Sequence, residues 1–210
     1  LHFEDQHTTF RLEIPLVGVQ CRVRLPMHGQ HVVANLLAAL AGGVGLEVDL
    51  EPVLKQVQHL RAGPGRMSRR QVGDVTLIDD SYNSNPNSAR AAVRVLMSIP
   101  ASRRVLVLGD MHELGKDSAQ EHRALGQFAA RAHVEQLVTI GGQALDIAAG
   151  AGLAGMAQGS VRHFPSVARA NEDLDKFVGP GDVVLVKGCR AMEMERIVDA
   201  LLGRETATAA

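Results

Sequence analysis

The stretch that decides the fold is VTLIDDSYNSNPNS, residues 75–88. Its apolar run ends in two adjacent carboxylates, Asp79 and Asp80, and a polar, turn-forming segment with the only tyrosine of the chain follows at once. Ligand sites of α/β proteins lie beyond the carboxyl ends of buried strands, in the loops that lead to the next helix. The stretch therefore predicts a strand, a ligand-binding loop and a helix, in that order.

The same plan recurs downstream, where short apolar runs alternate with helix-like stretches. The predicted strands are residues 75–78, 105–108, 137–140, 161–164 and 183–186, and the predicted helices are residues 88–97, 118–132, 143–149, 166–177 and 191–202. This alternation indicates βαβ units and a parallel sheet that is covered on both faces. Residues 67–72 add a strand that pairs with the first one through a turn at Gly73 and Asp74. We therefore expect an α/β fold with a Rossmann-like, mostly parallel sheet and flanking helices.

The region before this sheet is patterned differently. Residues 9–14 and 19–25 alternate apolar and polar side chains, which predicts two strands. A helix is expected to follow to about residue 41 and to end at the glycines just after it, which are Gly42, Gly43 and Gly45. Asp49 is expected to cap a second helix that reaches about residue 60.

The segment RAGPGR, residues 61–66, mixes glycine, proline and positive charge between the two patterned regions, which is typical of a linker. We place the domain boundary there. The predicted domains are residues 1–65 and residues 66–203, followed by a disordered tail, residues 204–210. Because the first residue is Leu1 rather than methionine, we also expect an upstream segment.

Composition argues against several classes of partner. The formal net charge is −1 and aromatic residues make up 3% of the chain, so we expect no nucleic-acid binding. We expect no membrane insertion, because no apolar run reaches about 18 residues and no signal peptide is present. The two cysteines, Cys21 and Cys189, form no disulfide or metal pattern, which is typical of a reduced, cytoplasmic protein. A monomer is expected.

Polar and turn-forming residues follow all five predicted strands. They are Asp79-Asp80, Gly109-Asp110-Met111-His112-Glu113, Gly141-Gly142, Pro165-Ser166 and Lys187-Gly188-Cys189-Arg190. Because parallel strands end at one edge of a sheet, this pattern predicts one ligand site. A nicotinamide-binding domain would need G-x-G-x-x-G after its first strand, where this chain has DDSYN. A receiver domain would explain an acidic pair and a lysine, but neither the first 65 residues nor the asparagine-rich loop.

Several motifs in collinear order resemble the Mur ligases. They are IDDSYNSNPNS at 78–88, VLGDMHELG at 107–115, Ser118, His122 and Gly126, LVKGCRAMEME at 185–195, and upstream GQH at 29–31 with Asn35, Ala38 and Ala39, and Gly65-Arg66. The resemblance covers residues 28–202. The family pattern often has asparagine at the position of Val32 and usually serine at the position of Cys189, so this chain departs from it at those two positions.

The resemblance implies a three-domain enzyme that forms an amide bond through an acyl phosphate. Residues 1–65 would be the end of its central α/β ATPase domain, and residues 66–203 its C-terminal domain. The motifs are most similar to members that add D-alanyl-D-alanine to UDP-N-acetylmuramoyl-tripeptide in peptidoglycan precursor synthesis. ATP and Mg²⁺ are the implied cofactors. No G-x-x-x-x-G-K-[ST] motif is present, so the phosphate-binding loop and the magnesium ligands would lie upstream of Leu1, and the chain alone is predicted to be inactive.

The resemblance also implies two sets of site residues. The nucleotide set is His31, Asn35, Arg66, Asp79 and Asp80, and the substrate set is Tyr82, Asn83, Asn85, Asp110, Glu113 and Lys187. In the nucleotide set, the amide of Asn35 suits an adenine edge, Arg66 suits ribose or phosphate, and the two carboxylates suit ribose hydroxyls. In the substrate set, neutral side chains would bind the peptide-like substrate, Asp110 and Glu113 the amine of the dipeptide, and Lys187 its carboxylate.

Structural roles remain open for most of these residues. The asparagine-rich loop also reads as Asx turns before a helix that Asn87 or Ser88 caps. Asp110 and Glu113 could cap the helix that starts near residue 118, and Lys187 could be a solvent-facing loop lysine. The histidines show no H-E-x-x-H pattern, so we expect no metal site and structural or surface roles for His112, His122, His133 and His163.

The sequence leaves two alternative functions open. One is a ligase of the folylpolyglutamate-synthetase type, against which the run DMHELG, residues 110–115, argues. The other is a Rossmann-like binding module without catalytic activity. A phosphate-binding loop upstream of this chain would favour a ligase of either type over the binding module.

Overall fold

The computed structural model describes residues 2–4, 7–27, 30–61 and 63–203, without the side chains of residues 2–4, 30, 31 and 175. It divides into two compact units, Leu1–Ala62 and Gly63–Ala210. The division falls within the linker-like segment at residues 61–66. The predicted tail, residues 204–210, lies outside the described residues. The longest described helix has 16 residues, and none in the described part of the chain is both long and apolar enough to span a bilayer.

The first unit is an antiparallel sheet followed by two helices. Its strands pair in the order β1-β2-β3, and its elements are β1 (His2–Glu4), β2 (His7–Ile14), β3 (Val19–Leu25), α1 (Gln30–Gly45) and α2 (Leu50–Val57). Apolar side chains on alternate positions of β2 and β3, such as Leu12 and Val23, form a core with Leu36 and Leu40 of α1. The two predicted strands are confirmed.

Helix α1 does not end where its glycines begin. It continues through Gly42 and Gly43 and ends at Gly45, because Gly43 serves in packing: a β-carbon there would lie 3.2 Å from Leu50 Cδ2. The predicted cap of the second helix is confirmed, since Asp49 Oδ1 accepts a hydrogen bond from Glu51 N at 3.0 Å. That helix ends at Val57, earlier than predicted.

The second unit is the predicted mostly parallel sheet with flanking helices. Its elements are β4 (Ser68–Val72), β5 (Val75–Asp80), α3 (Pro86–Ser98), β6 (Arg103–Gly109), α4 (Ser118–Arg131), β7 (Gln136–Ile140), α5 (Leu145–Leu153), β8 (Val161–Phe164), α6 (Val167–Glu172), β9 (Asp182–Lys187) and α7 (Glu195–Leu202). The strand order is β4-β5-β9-β6-β7-β8. Only β4 is antiparallel to its neighbour, as the turn at Gly73 predicts.

Both faces of this sheet are covered, which explains its continuous apolar strands. Leu106 and Leu108 pack with helices α3, α4 and α5 on one face. Val105 and Val107, which alternate with them along β6, pack with α6 and α7 on the other face. Because successive side chains of a strand point to opposite faces, a strand between two helical layers must be apolar at every position.

Two predicted helices are shorter than expected. The helix predicted over residues 191–202 begins only at Glu195, after a 3₁₀ turn at Arg190–Met192. Glu193 separates the two with a left-handed backbone, φ +50°, which an α-helix cannot contain. The helix predicted over residues 166–177 likewise divides into α6 and a 3₁₀ turn at Leu174–Lys176.

The cap of helix α3 is Asn85, and the prediction of Asn87 or Ser88 is wrong. Asn85 Oδ1 accepts from Ser88 N at 2.8 Å, and Ser88 Oγ accepts from Asn85 N at 3.1 Å. This reciprocal pair is a capping box, and Pro86 fits the first helical position because its nitrogen has no hydrogen to bond.

Replacing Asn85 with alanine should therefore destabilise the second unit by about 1 kcal/mol, because the backbone N–H of Ser88 loses its acceptor. Urea unfolding measures the effect. The matched control is Asn87→Ala, an exposed asparagine of the same helix end, for which we expect a change below about 0.5 kcal/mol. Equal effects of the two substitutions would contradict the assignment of the cap.

Candidate functional site

The candidate site lies where β5 and β9 end side by side. The two strands are parallel neighbours, and Asp80 is in register with Lys187. Because strand side chains alternate between faces, Asp80 points to the same face as Ile78, and Lys187 to the same face as Leu185. Ile78 and Leu185 pack on the face that α3 covers. The parallel register and the period of two therefore bring the carboxylate and the ammonium together on one face.

The two charges form a buried ion pair. Lys187 Nζ lies 2.7 Å from Asp80 Oδ2, with side chains 2% and 14% exposed. Lys187 also donates to the carbonyl oxygen of Asn83 at 2.8 Å, and Asp80 Oδ1 accepts from Met67 N at 3.2 Å. The solvent-facing loop position proposed for Lys187 as an alternative is therefore wrong, because the side chain extends into the protein. Its contact with a dipeptide carboxylate stays a prediction.

The segment of residues 63–67 packs onto the loop that follows β5. Gly65 O accepts from Tyr82 N at 3.0 Å. Gly65 has φ +67°, and a β-carbon there would lie 2.8 Å from Tyr82 N, so any other residue would force the two segments apart. The family resemblance predicted a site role for Arg66 but not these backbone contacts, since backbone atoms carry no sequence signal.

Arg66 and Tyr82 form an exposed pair at the surface of this contact. The guanidinium carbon of Arg66 lies 4.4 Å from the centroid of the Tyr82 ring, within range of a cation–π interaction. Tyr82 is 45% exposed, and Arg66 is exposed as well. Such an exposed cationic, planar surface can accept a phosphate or a stacked ring.

Asp79 has a different environment from Asp80, although the two are adjacent. Its side chain is buried, and Oδ1 accepts from Ser81 N at 3.1 Å and from Ser81 Oγ at 2.6 Å. The carboxylate thus closes the turn that ends β5. Its predicted contact with ribose hydroxyls stays untested.

Both predicted asparagines have local partners. Asn83 Oδ1 accepts from Ser84 N at 2.8 Å, and Asn85 caps α3 as described above. The two residues are exposed. Their predicted contacts with a peptide-like substrate stay predictions, and the local bonds hold the loop in one shape.

Asp110 lies at the carboxyl end of β6, beside Gly141. The carboxylate is buried, and its Oδ1 accepts from Ala144 N, just before α5, at 2.6 Å. Asp110 was expected to cap the helix that starts near residue 118, but its carboxylate instead bonds at the start of the next helix, α5. Gly141 has φ +111°, and a β-carbon there would lie 2.5 Å from Asp110 Oδ1, so the contact requires glycine. The backbone carbonyl of Asp110 accepts from Cys189 N at 3.1 Å, which joins the loops after β6 and β9.

Glu113, in the loop after Asp110, takes part in none of these hydrogen bonds. It is exposed and has φ +64°. Its predicted contact with the dipeptide amine stays a prediction.

His122 has a structural role, as predicted. Its ring is buried, Nε2 accepts from Met111 N at 3.0 Å, and Nδ1 donates to Ser118 O at 2.7 Å. An acceptor at Nε2 leaves the proton on Nδ1. The ring therefore attaches the loop of Asp110 and Glu113 to helix α4.

The crevice between β6 and β9 is occupied by a methionine. The helices after these strands lie on opposite faces of the sheet, α4 on one and α7 on the other. Open α/β sheets bind ligands in the crevice between two such strands. Gly109 and Gly188 end the two strands, and a β-carbon on Gly188 would lie 2.5 Å from Cγ of the buried Met194. The polar groups instead gather one strand away, between β5 and β9.

Two predicted nucleotide residues belong to the first unit. Asn35 is exposed on α1. His31 lies on the same helix, but its side chain is outside the described residues. Within the described ranges, no three His, Cys, Asp or Glu side chains lie close enough to hold a metal ion.

His163 should make the fold sensitive to acid. Burial lowers the pKa of His163 below its ordinary value of 6.5, and the nearby charge of Asp110 opposes part of that shift. Above pH 6.5 the imidazole is neutral in the folded and in the unfolded chain. As the pH falls below this value, the unfolded chain takes up the proton first, so stability is lost until the pH passes the lowered pKa.

Between about pH 7.5 and about pH 5.5, the melting temperature of the unmodified chain should therefore fall more than that of His163→Asn. Asparagine keeps a partner for Thr139 Oγ1, which lies 3.0 Å from His163 Nδ1. The control is His133→Asn, an exposed histidine at φ +60°, which should keep the pH dependence of the unmodified chain. An unchanged pH dependence in His163→Asn would refute the assignment.

Comparison with known proteins shows similarity along almost the whole chain. The family described as Mur ligase, glutamate ligase domain, matches residues 65–190. The UDP-N-acetylmuramoyl-tripeptide--D-alanyl-D-alanine ligase of Escherichia coli K12 is 35% identical over 204 residues, covering 96% of this chain and 43% of that protein. The ligase of the same name from Mycobacterium tuberculosis is 37% identical over 224 residues, covering 96% of this chain and 44% of that protein.

Solved structures agree with these relatives. A MurF from Acinetobacter baumannii matches with a TM-score of 0.81 at 34% identity, covering 95% of this chain and 44% of that one. The chain thus spans less than half the length of the relatives it matches. Since the family match at residues 65–190 covers more than half of the 210 residues, this protein belongs to the Mur ligase family.

Proposed function

We propose that the protein containing this chain is an ATP-dependent amide-bond ligase that adds D-alanyl-D-alanine to UDP-N-acetylmuramoyl-tripeptide in peptidoglycan precursor synthesis. The observation that carries the proposal is the similarity, at 35% and 37% identity over 96% of the chain, to relatives named for that reaction. The chain would supply the C-terminal domain and the end of the ATPase domain. Because its sequence holds no G-x-x-x-x-G-K-[ST] motif, we propose that these 210 residues alone are inactive.

The proposed reaction needs positioning and charge neutralisation more than proton-transfer groups. ATP would supply the activation, as its γ-phosphoryl group is transferred to the tripeptide carboxylate. The amine of the dipeptide then attacks the acyl carbon, an amide bond forms, phosphate leaves and the amine loses a proton. Fixed charges and hydrogen-bond donors that are held in place before the substrates bind stabilise such steps best.

Arg66 and Asp80 fit the nucleotide side of this reaction. Arg66 is exposed, always charged and planar, and its stacking on Tyr82 limits the directions in which it can point. The Asp80 carboxylate contacts the residue next to Arg66, since its Oδ1 accepts from the backbone nitrogen of Met67. Asp79, Asn35 and His31 complete the proposed nucleotide set.

The loop from Tyr82 to Asn85 would face the dipeptide, together with Asp110 and Glu113. Its exposed amides offer donors and acceptors that suit a peptide-like ligand. The bonds of Asn83 and Asn85 to their neighbours support this role, because a loop that is already ordered loses little entropy when a ligand binds.

The test is a phosphate-release assay on the protein encoded by the complete gene. UDP-N-acetylmuramoyl-tripeptide, ATP, Mg²⁺ and D-alanyl-D-alanine are mixed, and the product is identified by mass. We expect phosphate release to require both the precursor and the dipeptide. Release without the dipeptide would refute the substrate assignment, and release with a folate and glutamate instead would support the rival ligase. Absence of ATP turnover with either pair would favour a binding module.

A further inference from the structure

Lys187 is the only buried lysine in the described part of the chain. Burying an ammonium is unfavourable unless a counter-charge and hydrogen-bond acceptors surround it. Here Asp80 Oδ2 supplies the counter-charge at 2.7 Å, and Asn83 O supplies an acceptor at 2.8 Å. Because both partners lie within the site, the ammonium group of Lys187 is held in the interior of the site.

Through these partners, Lys187 connects three separate segments of the sequence. Its own segment is the end of β9. The second is the end of β5 with the loop after it, which Lys187 contacts at Asp80 and at Asn83. The third is the segment of residues 63–67, whose Met67 N donates to the other oxygen of Asp80 at 3.2 Å.

The last two segments carry the exposed Arg66–Tyr82 pair. Arg66 lies between Gly65, which bonds to Tyr82 in the loop after β5, and Met67, which bonds to Asp80 at the end of β5. Gly65 and Met67 have left-handed backbones, φ +67° and φ +55°, so the chain makes a sharp bend on each side of Arg66. The position of the guanidinium therefore depends on the Asp80 carboxylate, which in turn depends on Lys187.

We propose that Lys187 is a positioning residue, whose buried ammonium holds Asp80 and the Asn83 carbonyl so that Arg66 and Tyr82 are presented as a preformed pair. This role of Lys187 deepens the proposed function. It rests on the proposed function only in the part that concerns nucleotide binding. It differs from the predicted role of Lys187 as a contact of the dipeptide carboxylate. That role would require the ammonium to leave its 2.7 Å contact with Asp80.

The first experiment measures hydrogen exchange in the chain without any substrate. In Lys187→Met, the amides of Met67 and Tyr82 should exchange at least about tenfold faster, because methionine fills a similar volume without charge. The amide of Gly141, which bonds to Phe164 O at the other side of the sheet, is the internal reference and should keep its rate. Unchanged rates at Met67 and Tyr82 would overturn the proposal.

The matched control is Lys176→Met. Lys176 Nζ lies at the same 2.7 Å from a carboxylate, Asp173 Oδ1, but its side chain is 63% exposed. This substitution should leave all three amide rates unchanged. Equal acceleration by Lys176→Met would show that loss of any ion pair loosens the unit, which would also overturn the proposal.

A double variant keeps the test valid if Lys187→Met does not fold. In an Asp80→Asn background the carboxylate that pairs with Lys187 is absent, and the asparagine oxygen can still accept from Met67 N. Adding Lys187→Met to this background should change the Met67 rate by less than about threefold. A tenfold change in this background too would contradict the proposed coupling through Asp80.

Kinetics of the complete enzyme then separate the two roles of Lys187. A positioning residue predicts that Lys187→Met lowers kcat/KM for ATP with an unchanged KM for the dipeptide. A rise in the dipeptide KM alone would support the direct contact instead and overturn the proposal. If the enzyme has no ligase activity at all, the proposed function fails, whereas the exchange result on Lys187 still stands or falls by itself.

Discussion

Replacing Gly126 with alanine is expected to destabilise the second unit by about 3 kcal/mol or more. A β-carbon at Gly126, on α4, would lie 1.9 Å from the carbonyl oxygen of Ile147 and 2.8 Å from the nitrogen of Ala151, both on α5. These are backbone atoms, which cannot rotate away as a side chain would. The two helices would have to separate, and the apolar side chains packed between them would lose contact.

The same contact exists in reverse at Gly150. A β-carbon there would lie 2.1 Å from the carbonyl oxygen of Arg123, so Gly150→Ala should have an effect of similar size. Urea unfolding, followed by circular dichroism, measures both variants.

The control for the two glycine substitutions is Gly152→Ala in the same helix α5. A β-carbon at Gly152 meets no atom within 4 Å. Alanine should therefore leave stability unchanged or raise it by about 0.5–1 kcal/mol, because it restricts the unfolded chain and favours the helix. A Gly126→Ala variant as stable as Gly152→Ala would refute the close contact of α4 and α5.

Replacing His122 with leucine is expected to destabilise the second unit by about 2–4 kcal/mol. The imidazole is buried and accepts from the nitrogen of Met111, whose side chain is buried too. Leucine has a similar size but no acceptor, so the N–H of Met111 would be left without a partner and without water. The energetic penalty is the desolvation of that N–H group.

The substitution should also loosen the loop that begins at Asp110, which hydrogen exchange at Met111 would detect. His122→Gln should recover part of the lost stability, because its amide oxygen can accept from the same N–H. The control is His112→Leu, which lies in the same loop but is 41% exposed and should change stability by less than about 0.5 kcal/mol. Equal stability of His122→Leu and His112→Leu would contradict the role of the ring.

The contacts of His122 and Gly126 explain one of the motifs that the chain shares with the Mur ligases. Ser118, His122 and Gly126 are each four residues apart, so they lie on one face of α4. Ser118 and His122 hold the loop after β6 from this face, and Gly126 lets α5 approach. The spacing therefore serves the packing of the site.

Much of the fold follows from local patterns in the sequence. The continuous apolar runs at residues 105–108 and 183–186 predict strands that are covered on both faces, and the structure places them at the centre of the sheet. Boundaries were predicted less well. Helix α1 continues through Gly42 and Gly43, because tertiary packing against Leu50 outweighs the preference of glycine for helix ends.

The sequence by itself determined the α/β class, the sheet edge on which the polar residues gather, and the family to which they belong. It did not distinguish Asp79 from Asp80 or show that Lys187 is buried. Those facts depend on β9, the last of the described strands, entering the sheet between β5 and β6. Only this long-range pairing places Lys187 beside Asp80, while the alternation of strand side chains turns Asp79 to the other face, toward Ser81. Local propensity carries no information on which distant strand becomes a neighbour, and so the tertiary structure decided which carboxylate is paired with the buried ammonium.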